Sequence, residues 1–283
     1  MGLKATLGLT LFAAVLAGAT PPILASSWSE AVNPTAGPAQ PIGGPANGCI
    51  AGAKALPLDG PGYEAIRVSR RRYFGHPGTV AFVERLGRQA KAEGLQTFYV
   101  GDMSQPRGGP MSNGHGSHQT GLDVDIWFNL DPKPQLKPVA REDVPLPSML
   151  RLDKQEPDPT RFGAAQIRLL KLAAADPAVD RIFINPALKR ALCVSEPNRA
   201  WLHRLRPWWG HDEHFHVRLA CPPGAASCVS QAPVPPGDGC DASLAWWFEP
   251  KPAAPVPAPS TPAKPKARPP LPQACKALEA ERS

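Results

Sequence analysis

Six cysteines, at Cys49, Cys193, Cys221, Cys228, Cys240 and Cys275, constrain this chain more than any other feature. The count is even, and none of them forms the Cys-x-x-Cys pair of a thiolate metal site, so disulfides are the expected state. Six cysteines allow fifteen connectivities, and spacing alone selects none of them. Cys221 and Cys228 are near enough for a local loop, while Cys49 and Cys275 bracket the body of the chain and are placed to tie its ends together.

Disulfides need an oxidising compartment, and the N-terminus supplies the route to one. Lys4 gives a positive start, Leu7 to Leu16 is an almost unbroken apolar run, and Ala17-Gly18-Ala19 has the spacing a signal peptidase reads. Residues 1–25 are therefore read as a signal peptide, cleaved after Ala19 or Ala25. The apolar run is too short to span a bilayer, and no later segment approaches the ~20 apolar residues a span needs. The mature chain is expected to be exported, without a membrane span.

Hydrophobic residues make up 42% of the chain, enough for a core, while 37 prolines require extended or looped segments. The formal charge of +7 fits an anionic wall polymer outside the cytoplasm, nucleic acid, or a solvated basic surface with no specific partner. Charge does not choose among them.

Residues 26–48 are rich in Pro, Ala and Gly and read as a loose lead-in. Val80, Val83 and Leu86 give Thr79 to Glu93 an apolar helical face, with Gly94 as a stop. Leu95 to Val100, Leu122 to Phe128, Arg181 to Asn185 and His214 to Leu219 read as strands, and Phe162 to Ala175 as a second amphipathic helix. A further helix ends near Cys193. Asp131 to Pro159 reads as a long surface excursion. The expected fold class is α+β, a small antiparallel sheet core flanked by helices and long loops. The domain is placed at 49–248. A Pro-rich tail over 249–283 is expected to be polyproline-like and tied back by Cys275.

Five of the seven histidines fall in two short stretches. His115 and His118 precede Asp123 and Asp125, and His211, His214 and His216 crowd together ninety residues later. On a strand, residues two apart share a face, so Asp123 pairs with Asp125 and His214 with His216. Two imidazoles and one carboxylate, with a fourth position open, suit a catalytic zinc ion. Calcium prefers six or more oxygens, so the histidines favour zinc. No Ser-x-x-Lys or Gly-x-Ser-x-Gly pattern offers a serine nucleophile.

Several long motifs carry a resemblance. They are Gly101-Asp102-Met103-Ser104 with Arg107-Gly108-Gly109, the run from Ser117-His118-Gln119-Thr120-Gly121 through Asp125-Ile126, and Trp208-Trp209-Gly210-His211-Asp212 followed by His214-Phe215-His216-Val217-Arg218. Together they resemble the penicillin-insensitive murein endopeptidases, of the group that includes lysostaphin-type peptidases, D-Ala-D-Ala metallopeptidases and the hedgehog domain. The resemblance covers most of the chain from about Cys49 to Cys240.

It implies a fold of that group carrying one Zn2+, with His118, Asp125 and His216 as ligands and His211 and His214 as catalytic groups that do not bind that ion. It implies the pairs Cys49–Cys275, Cys193–Cys240 and Cys221–Cys228, a periplasmic location, and hydrolysis of the D-alanyl–diaminopimelyl cross-links between peptidoglycan peptides, with β-lactams without effect. Some relatives hold a second zinc through a histidine matching His115 and a later Asp-x-x-His. Asp153 lies in that later region but no histidine follows it, so His115 is left as a second-site ligand or a substrate contact.

Glu213 is a rival base, which a regular strand would turn to the opposite face from His214 and His216. Asp123 is placed to orient a ligand or to cap its strand, and Trp208 and Trp209 to line a substrate groove or pack beside a turn. Two other functions compete. One is a non-catalytic, zinc-containing cell-wall-binding module, against which His211 and His214 argue. The other is a polyanion binder, whose one candidate patch is Arg70-Arg71-Arg72-Tyr73, read here as a solvated segment; no nucleic acid is expected. The sequence leaves a dimer open.

Overall fold

The computed structural model describes residues 27–112, 114–250 and 269–281. The signal peptide read over 1–25 and most of the Pro-rich tail, 251–268, lie outside the described residues. The strands are β1 Gln40–Gly44, β2 Asn47–Ala51, β3 Lys54–Ala55, β4 Asp59–Gly60, β5 Tyr63–Ala65, β6 Phe74–Gly75, β7 Phe98–Val100, β8 Asp123–Trp127, β9 Val179–Ile184, β10 Leu205–Pro207 and β11 His214–Leu219. The helices are α1 Ser27–Glu30, α2 Pro77–Ala92, α3 Ala164–Ala175, α4 Pro186–Ser195, α5 Ala242–Ala245 and α6 Gln273–Ala280. The fold is α+β.

Seven strands form the main sheet in the order β10-β9-β11-β8-β7-β5-β4. Its centre, β9-β11-β8-β7, is antiparallel, but β5 pairs with β7 and β9 with β10 in parallel. The sheet is thus larger and more mixed than its sequence suggests. Parallel neighbours need a crossover, and α2 and α4 lie in the two connections. β5 and β10 are three residues each, too short to leave a readable alternation.

Alternation along the two central strands decides everything downstream. Val124 and Ile126 of β8, with Phe215, Val217 and Leu219 of β11, enter the main core alongside Val80, Val83 and Leu86 of α2 and Leu169 and Leu170 of α3. The opposite face therefore carries Asp123 and Asp125 beside His214, His216 and Arg218. Register aligns them, His216 opposite Asp125 and Arg218 opposite Asp123. His76 caps α2, its Nδ1 accepting from Gly78 N at 3.0 Å. Thr79 Oγ1 donates to Gly121 O at 2.8 Å, fixing the loop that enters β8. Gly121 has φ +71, and a Cβ there would lie 2.7 Å from Ile50 Cδ1, so glycine is required on both counts.

The stretch read as a loose lead-in, 26–48, is in part structured. Residues 40–51 form the β1–β2 hairpin, whose Ile42 and Cys49 pack with Trp28, Cys275 and Leu278 in a small second core. Gly and Pro content obscured a hairpin whose burial comes from the far end of the chain. The bridges are Cys49–Cys275, Cys193–Cys240 and Cys221–Cys228, the pairing the resemblance implies. Arg107 Nη1 donates to Leu278 O at 3.1 Å and so holds α6 as well. No described helix is long and apolar enough to cross a membrane.

Candidate metal and catalytic centre

Asp125 is the hub of the site, buried in the middle of β8. Its Oδ1 lies 3.4 Å from His118 Nε2, 3.2 Å from His216 Nδ1 and 3.7 Å from His214 Nε2, and its Oδ2 lies 3.7 Å from His115 Nδ1. His118 and His216 cross edge to face with ring centroids 4.5 Å apart. His211 completes the cluster, 5.1 Å from the His214 ring and 6.0 Å from that of His216. All six residues singled out for metal binding and catalysis therefore meet in one place. Among the described residues, the group compact enough to enclose one ion is His115, His118 and Asp125, with donor atoms within 4.8 Å of one another. That group takes in His115, which therefore does not belong to a separate site, and it leaves out His216, whose Nδ1 lies 3.2 Å from Asp125 Oδ1.

The polar atoms here are short of partners. Both ring nitrogens of His118, Asp125 Oδ1, His214 Nδ1 and His216 Nε2 are buried without a hydrogen bond. Buried polar atoms are normally satisfied, and such a concentration of orphans needs an explanation. A cation among them supplies one, and two imidazoles with a carboxylate are donors suited to zinc.

Surrounding groups orient the cluster. Asp123 accepts from His118 N at 2.9 Å and lies 3.3 Å from His216 Nε2, so one carboxylate touches both histidine stretches. His115 Nε2 lies 2.9 Å from Asp102 Oδ2, which Arg72 also contacts at 2.9 Å. Trp127 packs at a tilt against His214, with centroids 4.8 Å apart. His118 and His211 have φ of 66° and 54°, a left-handed conformation uncommon outside glycine and frequent at functional positions.

Burial alone would raise the Asp125 carboxyl, but His118 and His214 hold it well below the usual carboxylate range. Burial likewise works upward on Asp123, and Arg218 and His216 overcome it. Burial lowers His214. For His216, burial is outweighed by Asp123 and Asp125, which raise it. His211 is pushed down to about 4 by burial and by the neighbouring imidazoles, so it is neutral at pH 7. Its Nδ1 lies 2.7 Å from Trp209 O; with the proton on Nδ1 donated to that carbonyl, Nε2 is left as the basic nitrogen.

The remaining candidates separate. Glu213 is exposed, its carboxyl raised by partial desolvation and by Asp212. Asp153 is exposed and accepts from Gln155 N at 3.0 Å within its own turn. Asp212 instead anchors the excursion: Ser148 Oγ donates to it at 2.5 Å and Lys154 Nζ at 2.6 Å. The basic run read as solvated is only partly so, because Arg72 is buried on Asp102 and Arg71 donates to Ser29 O at 2.8 Å. Sequence reasoning placed none of Asp102, Arg72, Trp127 and Phe183 in this site. The first lies in a quoted motif, but nothing local marked its side chain as the anchor of His115. An open cleft of about 480 Å³ leads to the site, lined by His115, His211, His216, Phe183, Trp208 and Trp209 among others.

Comparison with known proteins agrees with this constellation. The family model described as penicillin-insensitive murein endopeptidase matches residues 41–280. A Klebsiella pneumoniae protein of that name is 46% identical over 90% of this chain and 92% of its own length. Namesakes from Haemophilus influenzae and Yersinia pestis are 48% and 44% identical, covering 86% and 91% of this chain and 83% and 92% of their own. The chain belongs to the penicillin-insensitive murein endopeptidase family.

Proposed function

We propose that this protein is an exported, zinc-dependent endopeptidase that hydrolyses the D-alanyl–diaminopimelyl cross-links of peptidoglycan in the periplasm. The carrying observation is the set of buried, unpartnered donor atoms on His118, Asp125 and His216, beside an open cleft that His115, His211 and His216 line. Family membership supports the substrate, since the relatives are named for acting on murein.

His118, Asp125 and His216 would hold the ion, with His115 beside them. When bound, zinc supplies Lewis-acid polarisation of the scissile carbonyl and activation of water at neutral pH. The chain's own groups do the rest. Asp123 holds the His118 backbone and lies 3.3 Å from His216 Nε2, so it positions both histidine stretches. His211 and His214 serve as the proton carriers. One of them, as a neutral imidazole, takes a proton from the attacking water, and the imidazolium so formed supplies the proton that reaches the departing amine nitrogen. Phe183 and Trp208 close one side of the cleft and limit water around the reacting bond.

The test is digestion of purified cross-linked muropeptides by the mature protein, with products read by mass and bound metal counted. Conversion of dimers to monomers by wild type, abolished by chelator, restored by zinc and lost in His216→Ala, is the expected result. Stoichiometric zinc with every cross-link intact would instead mark a wall-binding module.

A further inference from the structure

Four of the seven tryptophans gather at one rim of the cleft. Trp208 meets Phe183 with centroids 5.8 Å apart, Trp247 lies 6.3 Å from Trp208 and 4.7 Å from Trp209, and Trp246 lies 5.3 Å from Trp247. Trp208, Trp209 and Trp246 are 52%, 56% and 49% exposed, three of the eight large apolar side chains that stand out most into solvent among the described residues. Single exposed apolar residues are ordinary, whereas a contiguous patch marks an interaction surface.

The patch is built on supports. The Cys193–Cys240 bridge fixes its start, Asp241 caps α5 through Ser243 N at 2.9 Å, and Leu244 buries inward. Arg190 lies 3.8 Å over the Phe248 ring, closing the turn behind Trp246 and Trp247. On the other side, Trp208 N donates to Ile184 O at 2.9 Å at the end of β9. Two segments nearly forty residues apart in sequence therefore present their indoles as one surface continuous with the catalytic cleft.

We infer that this tryptophan rim is a saccharide-binding platform that seats the glycan strand of the substrate while its peptide occupies the cleft. The inference rests on the proposed murein endopeptidase activity. Three features select the occupant. The platform adjoins the cleft, and in murein the stem peptide is covalently joined to an amino-sugar polymer, so the glycan must lie next to whatever site holds the peptide. The surface is formed by uncharged indoles, and the guanidinium behind it, Arg190, is engaged with Phe248; stem peptides carry carboxylates and ammonium groups, whereas the sugar rings are neutral. Indoles combine an apolar face with an N–H donor, which matches a pyranose with its C–H face and hydroxyl edge.

The experiment compares one cross-linked peptide in two forms, with its disaccharides attached and with them removed by an amidase. Wild type should cut the glycan-bearing form at the lower KM. Trp246→Ala and Trp247→Ala should each raise KM for it by about 3- to 10-fold more than for the stripped form, as expected for loss of one aromatic stacking partner. Quenching of tryptophan fluorescence by an N-acetylglucosamine oligomer should weaken in the same variants. Equal losses on both forms, as a peptide on the rim or a purely structural role would give, would overturn the platform, and so would no loss on either. Trp246→Ala keeps the test sound should the more buried Trp247 variant misfold. Wild type that cuts neither form refutes the proposed activity itself, an outcome distinct from wild type that cuts both with one KM.

Discussion

Asp123 grips Arg218 with both carboxylate oxygens, Nε donating to Oδ1 at 2.6 Å and Nη2 to Oδ2 at 3.0 Å, from opposed positions on β8 and β11. The pair is buried, at 0% and 7% exposure. Since the same carboxylate also binds His118 N and flanks His216, it joins the two histidine stretches into one object.

That arrangement makes Asp123 a strong stability determinant. Asp123→Ala would leave the Arg218 guanidinium buried without its anion, and such losses cost about 3–5 kcal/mol. Asp123→Asn retains an acceptor for His118 N and should cost less, while loosening His216 and lowering zinc affinity. Denaturant unfolding with zinc titration measures both. A loss below about 1 kcal/mol in the alanine variant would be inconsistent with the buried pair.

Metal binding should be visible in stability as well as in activity. A ligand that binds only the folded state at 100 times its Kd adds about 2.7 kcal/mol. Zinc should therefore raise the Tm of the apoprotein and a chelator should reverse the rise. In His118→Ala and Asp125→Ala the rise should shrink or vanish. A variant-independent rise would place the ion elsewhere.

The sequence carried much of this site because its residues lie on strands with a period of two. Asp123 and Asp125, and His214 and His216, follow from alternation alone. What alternation cannot convey is which distant segments meet. Arg72 looked like one residue of a solvated basic run, yet it is buried on Asp102, thirty residues away. The β1–β2 hairpin looked loose because its apolar partners, Cys275 and Leu278, lie more than two hundred residues further on. β5 and β10 were invisible because three residues cannot establish a period.

The disulfides should differ in worth by their loop lengths. Cys49 and Cys275 are separated by 226 residues and Cys221 and Cys228 by 7. Chain-entropy estimates give about 5 kcal/mol for the long loop and about 2.5 kcal/mol for the short one. Paired Cys→Ser variants, compared by denaturant unfolding, should keep that order. Loss of the long bridge should also free α6 from the β1–β2 hairpin, read as faster hydrogen exchange at Cys49 and Ile50. The reverse order would mean that local packing, not loop closure, sets the contribution.

Lys189 offers a pH-dependent test that does not involve the metal centre. Its side chain is fully buried on α4, and Nζ donates to Leu202 O and Asp238 O at 2.6 Å each, so it ties the segment before β10 to the loop around Cys240. Burial, aided by Arg206, lowers its pKa from 10.5 to about 8. Between those values the unfolded chain binds a proton that the folded chain has released, so stability rises with pH across that window. Below about pH 8 the cost of a buried ammonium is fully present. Lys189→Met removes the titration. The stability of wild type relative to Lys189→Met should therefore grow by about 3 kcal/mol as pH rises from 8 to 10.5. Other titrating groups cancel in the comparison because both proteins share them. Unfolding curves recorded at intervals across that range give the difference directly, and two parallel profiles would show that Lys189 keeps an ordinary pKa despite its burial.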